Sequence, residues 1–554
     1  MGKRVLIVGG VAGGASAAAR LRRLDEGAEI VIFERGPDVS FANCGLPYFV
    51  GGVIEEERSL HVASRELFRD RFAIDVRVRH EALSIDRARR TLRVRDLRDG
   101  AERDEPYDAL VLSPGAAPLR PAGIGAELPG VFTVRTIGDA VQMRGFLASG
   151  ARRDAVVVGG GFIGLEMAEN LAHRGLRVAI LEQSDQLLAP LDPELARFLE
   201  EQLAAAGVEL RLGEGLREIA AFEGRLAVQT DRGRALPADL VVLALGVKPE
   251  VRLAAEAGLE LGGRGGIRVD AGMRTSDANI YAVGDAVEVR GAVLDQPALV
   301  PLAGPAHRQG RVAAERIAGK PSEFRGVQAT AIVHAFGLTA ATTGASEKAL
   351  RRAGRSDFAA VYLHPGHHAG YYPGAQPLHL KLVFEVPGGR ILGAQAVGRE
   401  GVDKRIDVIA AMLQLGGSVR DLAEAELCYA PQFGSAKDPV NLAGMLAVNV
   451  LEGEMPLADG ARLAESSALL LDVREPAEVA RAAFPGALNI PLHQLRARLG
   501  ELPRDREIWV ACAAGQRGYF AQRILMQRGF QVKNLSGGAQ TWLRPAKSPA
   551  AEQP

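Results

Sequence analysis

Cys44 stands at the centre of residues 40–52, S-F-A-N-C-G-L-P-Y-F-V-G-G. A thiolate attacks disulfide or persulfide sulfur; a thiol does not. Asn43 is a good N-cap residue, so Cys44 is expected to open a short helix. The unpaired N–H groups and positive dipole end of such a helix favour the thiolate. Taken alone, the residue reads as a small buried thiol; the residues around it reverse that reading. Cys512 begins a second candidate, C-A-A-G-Q-R-G, between an apolar strand pattern at Ile508–Ala511 and a helix pattern over 519–528. Converging N–H groups in such a loop form an anion nest, where a cysteine ionises and holds a persulfide and Arg517 assists. Cys428 completes the set of three cysteines. It reads as a structural thiol. Three cysteines make no disulfide framework and fit a reducing cytosol.

Two glycine turns provide the positioning elements. Residues 5–8 form an apolar strand pattern, followed by Gly9-Gly10-Val11-Ala12-Gly13-Gly14, a helix pattern over 15–24 and a second strand ending in Glu34. Gly9, Gly13 and Gly14 let the backbone approach a pyrophosphate at a helix N-terminus, and Glu34 is placed for a ribose. Val11 occupies the middle glycine position of the fingerprint. The second turn is complete: Gly159, Gly161 and Gly164 follow a strand pattern at 155–158, and a later strand ends in Glu182. An acid there suits a free ribose 2′-hydroxyl and repels a 2′-phosphate, which favours NADH over NADPH. Ser113-Pro114-Gly115-Ala116 reads as a crossing turn, with Gly115 beside the first nucleotide. Asp285, after an apolar strand and Gly284, is placed to grip a flavin ribityl hydroxyl. Arg20 and Arg23 share a face of the first helix and are both expected to bind substrate. Arg23 reaches toward an anionic substrate near Cys44, whereas Arg22 reads as solvated.

Composition removes other classes. The 67 basic and 67 acidic side chains cancel, leaving no nucleic-acid or anionic-membrane footprint. No apolar run approaches the roughly 18–20 residues of a membrane span. The strand pattern at residues 4–8 leaves no room for a charged-then-apolar leader. A soluble, cytoplasmic protein is expected, and no metal.

Two fingerprints, a crossing turn and a late Gly-Asp, in that order, resemble the flavoprotein disulfide reductases with two dinucleotide domains. The resemblance implies FAD on the first fingerprint, NAD(P)H on the second and a homodimer. Members with two redox cysteines carry CxxxxC; here Phe49 follows Cys44 at that spacing, so Cys44 must pair with a sulfur from outside the chain. Among single-cysteine relatives, NADH oxidases and peroxidases carry a histidine where this chain has Ala12. S-F-A-N-C-G-L-P-Y and the preceding G-G-V-A-G-G-A-S resemble coenzyme A disulfide reductases. That implies Ser40, Asn43 and Cys44 in the site, Arg23 on the CoA phosphates, and tyrosines from the partner subunit facing the cysteine. Tyr429 matches one; Tyr371 or Tyr372 holds the other place. Asp472-Val473-Arg474, the Cys512–Arg517 loop and Leu535-Ser536-Gly537-Gly538 resemble a rhodanese domain, with Ala483 where a histidine is common.

The expected fold is α/β: two Rossmann-like dinucleotide-binding domains, an α+β dimerisation domain and a C-terminal α/β rhodanese domain. The expected boundaries are 1–118 with 246–325 for FAD, 119–245 for NAD(P)H, 326–449 for dimerisation, 450–463 as linker, 464–546 for the rhodanese domain and 547–554 as a disordered tail. The implied activity is NADH-driven, FAD-dependent reduction of CoA persulfide, polysulfide or CoA disulfide through Cys44, with Cys512 handling sulfane sulfur. A plain CoA-disulfide reductase with an independent sulfurtransferase, an NADH oxidase or peroxidase, and a sulfur carrier or redox sensor are the alternatives.

Overall fold

A computed structural model describes residues 2–150 and 152–543; the expected tail lies outside them. The chain forms two compact units, Met1–Leu188 with Leu203–Ala329, and Ala189–Gln202 with the residues from Thr330 onward.

The first unit holds two five-stranded parallel sheets. In one, Arg4–Val8 lies between Glu29–Glu34 and Ala109–Leu112, with Asp75–Val78 and Ile280–Ala282 at the edges. In the other, Asp154–Val158 lies between Arg177–Glu182 and Leu240–Leu243, flanked by Glu209–Leu212 and Val131–Phe132. The central strands are buried on both faces and therefore read as unbroken apolar runs. Their strand–turn–helix construction is the same. Gly9 and Gly159 take φ of +91° and +110°, which glycine adopts without steric cost.

Helices cover the sheets. Ala12–Arg22 begins three residues before the expected start and packs on Ala303–Ile317. A Cβ on Gly310 would lie 2.3 Å from the Gly13 carbonyl oxygen. Arg22 corrects the reading of a solvated arginine: it is 6% exposed and donates to the carbonyls of Phe72, Asp25, Glu26 and Ala73. A buried guanidinium has many donors to satisfy, and two carbonyls just past this helix and two at the end of Arg65–Phe72 satisfy them.

In the second unit, a five-stranded antiparallel sheet runs Ala331–Ala335, Leu338–Gly344, Ile391–Gly398, Leu378–Glu385 and Phe358–Leu363. A four-stranded parallel sheet follows, ordered Leu488–Asn489, Leu469–Asp472, Ile508–Ala511 and Val532–Asn534. Residues 450–463, expected as a linker, are hydrogen-bonded to this sheet at Pro456. The Pro456 carbonyl accepts from the Asn534 N–H and the Gln522 amide, and Gly460 lies so near the Trp542 ring that a Cβ would come within 2.2 Å of it.

The two sheets of this unit are joined at Tyr362. Its N–H donates to Ser536 Oγ at 2.9 Å, and Ser536 Oγ donates back to its carbonyl at 3.2 Å. Its ring meets Trp542 edge-on, and its hydroxyl donates to Glu194 at 2.6 Å. Glu194, Asp192 and Glu347 converge on the ammonium of Lys381, which is wholly buried. Burial alone would raise the Asp192 carboxyl, but the Lys381 ammonium and neighbouring N–H groups outweigh it and hold the pKa below the ordinary value. The stability this lends is present above the unfolded carboxylate pKa and is lost as pH falls through the depressed one. Replacing Lys381 with methionine strands three carboxylates and is expected to cost about 3–5 kcal/mol, read by urea titration at neutral pH. An unchanged midpoint would contradict this assignment.

Candidate active site

The site is built on the two glycine turns. Gly10 N–H donates to Glu34 Oε2 at 2.9 Å and Gly36 N–H to Glu34 Oε1 at 2.8 Å. The second turn repeats this, with Gly160 and Ser184 N–H groups each 2.7 Å from Glu182. Both acids thus sit at the mouth of a turn, fixed by backbone donors, where ribose hydroxyls would be met. A Cβ on Gly161 would meet nothing within 4 Å. Packing therefore does not explain this glycine, whereas room for a pyrophosphate does. Gly164 instead serves packing: a Cβ there would lie 1.9 Å from the Gly159 carbonyl oxygen. Gly14 has the same relation to Gly9 at the same distance. Gly13 lies against Val283 and Ser113, and Gly115 takes φ of +77°. Asp285 follows Gly284, whose N–H donates to Gln309. These residues fit FAD on the first turn and a nicotinamide dinucleotide on the second.

The Cys44 loop hangs from the first turn. Ser40, at φ +48°, donates its N–H to the Gly10 carbonyl at 2.9 Å and accepts from Val62 N–H at 2.8 Å. Asn43–Gly45 then forms a 3-10 turn and Leu46–Gly51 a short helix. The expectation that Asn43 caps a helix opened by Cys44 is corrected: Ala42 precedes the turn, Asn43 lies inside it, and no side chain caps it. Leu46–Gly51 packs on Phe162–His173 because Gly51 lacks a side chain; a Cβ there would lie 2.0 Å from Asn170 Oδ1. Phe49 is buried beneath the guanidinium of Arg144, so the place five residues after Cys44 belongs to the core.

That packing brings up groups for which no short-range spacing in the sequence gives a signal. Tyr48 Oη donates to Glu166 Oε1 at 3.1 Å. Arg135 Nη2 pairs with Asp285 Oδ2 at 3.3 Å. The Cys44 side chain is open to solvent, yet the walls around it partly desolvate the thiol. That burial, with the Glu166 and Asp285 carboxylates, raises its pKa, while Arg135 pulls the other way. A backbone N–H at Cys44 also favours the thiolate, as expected, but burial and the two carboxylates outweigh it. Burial also raises Glu166, partly offset by Tyr48, and pushes Tyr48 up to about 12.

Arg20, expected near substrate, is paired with Glu315 through Nε at 3.0 Å and Nη2 at 2.5 Å; Arg23 is exposed. In the second unit, the Tyr371 and Tyr429 hydroxyls meet at 2.7 Å. Tyr372 instead packs its ring against His368. This separates the two adjacent tyrosines: Tyr371 joins Tyr429. Cys428 is exposed.

Cys512 is 1% exposed and ends the strand Ile508–Ala511. Its Sγ accepts from Gly515 N–H at 3.1 Å, and its carbonyl accepts from Ala539 N–H. A Cβ on Gly538 would lie 2.3 Å from that carbonyl oxygen, so the Gly537-Gly538 pair lets a second backbone segment brace the loop. The helix after it is Gln516–Met526, three residues earlier than the expected start. Arg517 does not point free at a substrate: both terminal nitrogens reach Glu478 at 2.7 Å.

Because Glu166 raises the Cys44 pKa, Glu166→Gln is expected to lower the pH midpoint of Cys44 alkylation. It should speed alkylation roughly two- to fivefold near neutral pH. Peptide mapping separates Cys44 from the other two cysteines, and an unmoved midpoint would refute the coupling.

Comparison with known proteins agrees with this architecture. Residues 3–310 match the pyridine nucleotide-disulphide oxidoreductase model, 330–439 the dimerisation domain of the same group, and 459–545 the rhodanese-like domain. Coenzyme A disulfide reductase of Staphylococcus aureus is 36% identical over 445 residues, 80% of this chain and 99% of that protein. The crystal structure of reduced CoADR-RHD from Bacillus anthracis aligns at TM-score 0.96 and 43% identity, over 98% of both chains. A NAD-dependent persulfide reductase from A. fulgidus aligns at TM-score 0.91 and 39% identity, over 97% of this chain and 100% of that one. The chain belongs to the pyridine nucleotide-disulphide oxidoreductases, FAD- and NAD(P)H-dependent enzymes, and carries a C-terminal rhodanese domain.

Proposed function

We propose that this protein reduces CoA persulfide or polysulfide, and CoA disulfide, with electrons from NADH, using Cys44 as its one redox cysteine in the reductase half. The observation that carries this reading is Phe49, which fills a core position where two-cysteine members carry their second redox cysteine. The persulfide reductase, similar over nearly the whole chain, supports persulfide as substrate. The staphylococcal relative, spanned almost entirely by 80% of this chain, supports CoA disulfide on the same site.

The residues divide the work. Gly9, Gly13, Gly14, Glu34, Gly115 and Asp285 hold FAD; Gly159, Gly161, Gly164 and Glu182 hold NADH. When bound, FAD would supply the two-electron relay between the nicotinamide and sulfur. Cys44 thiolate attacks the inner sulfur of CoA persulfide, forming Cys44–S–S–CoA and expelling hydrosulfide. Attack on CoA disulfide forms the same bond and expels CoA thiolate. Ser40 and Asn43 flank the sulfur, and Arg23 meets the CoA phosphates. In a homodimer, Tyr429 of the partner subunit, hydrogen-bonded to the partner's Tyr371, donates a proton to the leaving thiolate. The dimerisation-domain match at 330–439 supports that assembly. Among the described residues no helix is long and apolar enough to cross a membrane, in keeping with a cytoplasmic site. An oxidase or peroxidase reading is disfavoured by Ala12 in the first turn.

Cys512 takes sulfane sulfur from a donor and passes it to CoA. Cys44→Ser should lower NADH oxidation with either CoA substrate by about a thousandfold or more. Cys512→Ser should slow polysulfide-dependent turnover at least about tenfold and leave CoA disulfide reduction unchanged. Anaerobic NADH consumption measures both. Full activity of Cys44→Ser would overturn the mechanism, and equal effects of Cys512→Ser on both substrates would overturn the division of labour.

A further inference from the structure

A cavity of about 530 Å³ opens beside the Cys512 loop, walled by Ala513, Arg474, Glu478, Arg481, Leu543 and Glu201. Two arginines of this region are already paired. Arg474 is buried and forks onto Asp472 through Nε at 3.0 Å and Nη2 at 2.6 Å. Arg517, the cation of the loop, forks onto Glu478 at 2.7 Å through both nitrogens. Glu478 is fixed in turn, because its Oε2 also accepts from Glu475 N–H at 3.0 Å in the capping box of Pro476–Arg481. The Arg517 guanidinium holds the Glu478 carboxyl down to about 2, so the pair stays ionised throughout the working range of pH.

An anion nest with a free arginine attracts a dianion. One whose arginine is already matched by a fixed carboxylate on the adjoining wall does not. We propose that Glu478 is a specificity-determining residue of the Cys512 loop, selecting persulfide donors, which carry at most one charge on the transferring group, over the dianion thiosulfate. The inference rests on the reading of Cys512 as a carrier of sulfane sulfur.

Both transfers balance. With a persulfide, Cys512 thiolate attacks the terminal sulfur of R–S–SH. The new S–S bond of Cys512–S–SH forms, the S–S bond of the donor breaks, and the thiolate R–S⁻ leaves to take a proton from water. With thiosulfate, the same attack forms Cys512–S–S⁻ and expels sulfite. Neither needs an outside oxidant or reductant, because the sulfur moves without its bonding pair.

The test uses the full-length holoenzyme and measures single-turnover sulfur uptake on Cys512, by mass, from glutathione persulfide and from thiosulfate. Glu478→Gln keeps the capping acceptor but removes the charge. It is expected to raise the thiosulfate rate on the order of tenfold while changing the persulfide rate less than about twofold. High salt should erase the gain. Glu478→Asp should behave as wild type, and adding Arg517→Gln to Glu478→Gln should abolish the gain. Unchanged CoA disulfide reduction in Glu478→Gln verifies that the flavin half is intact. Equal changes for both donors, or no change for thiosulfate, would overturn the inference. Uptake from neither donor by wild type would overturn the carrier reading itself, and the inference with it.

Discussion

A Cβ on Gly14 or Gly164 would lie 1.9 Å from a carbonyl oxygen of its own glycine turn. That contact forces each nucleotide helix down onto its strand, and the remaining geometry of the first unit follows from it. The helix N-terminus is aimed along the turn, the turn's N–H groups hold Glu34 or Glu182, and its carbonyl catches the next loop. Gly10 accepts from Ser40 N–H and Gly160 from Leu188 N–H, and both donors take φ of +48°. One backbone device thus appears twice. In the first copy the loop it catches carries Cys44. In the second the loop leads toward the helix Pro193–Ala205, which begins within the second unit.

The second unit depends on a charge buried without solvent. Lys381 holds three carboxylates, Tyr362 is hydrogen-bonded to two of them, and the same tyrosine grips Ser536 through its backbone. Ser536 precedes the two glycines that brace the Cys512 loop. A run of hydrogen bonds therefore links the buried cluster to the segment that braces the Cys512 loop. This gives the rhodanese domain a built attachment to the antiparallel sheet instead of a flexible tether.

Elements made by local patterning were legible in the sequence. The glycine turns, their terminal acids, the late Gly-Asp and the cysteine loop before a helix are contiguous, and each residue's role follows from its neighbours. The groups that set the chemistry of Cys44 were not. Glu166 and Arg135 reach the site from remote segments, and only the packing of Gly51 on Asn170 brings Tyr48 to Glu166. Long-range ion pairs also redirected the arginines. Arg20 went to Glu315, and Arg517 went to Glu478, although both lie where a substrate arginine is expected. Asn43 illustrates a different failure: its cap propensity was real, but the chain made a 3-10 turn before the helix and left the cap unused.

The proposed chemistry of the reductase half requires that Cys44 find its sulfur partner outside the chain. The most direct test is mass analysis of the holoenzyme after oxidation by CoA disulfide, before and after one equivalent of NADH under anaerobic conditions. The account predicts a single CoA adduct on the Cys44 peptide that NADH removes. A disulfide from Cys44 to Cys428 or Cys512, or CoA held at another cysteine with Cys44 free, would contradict it.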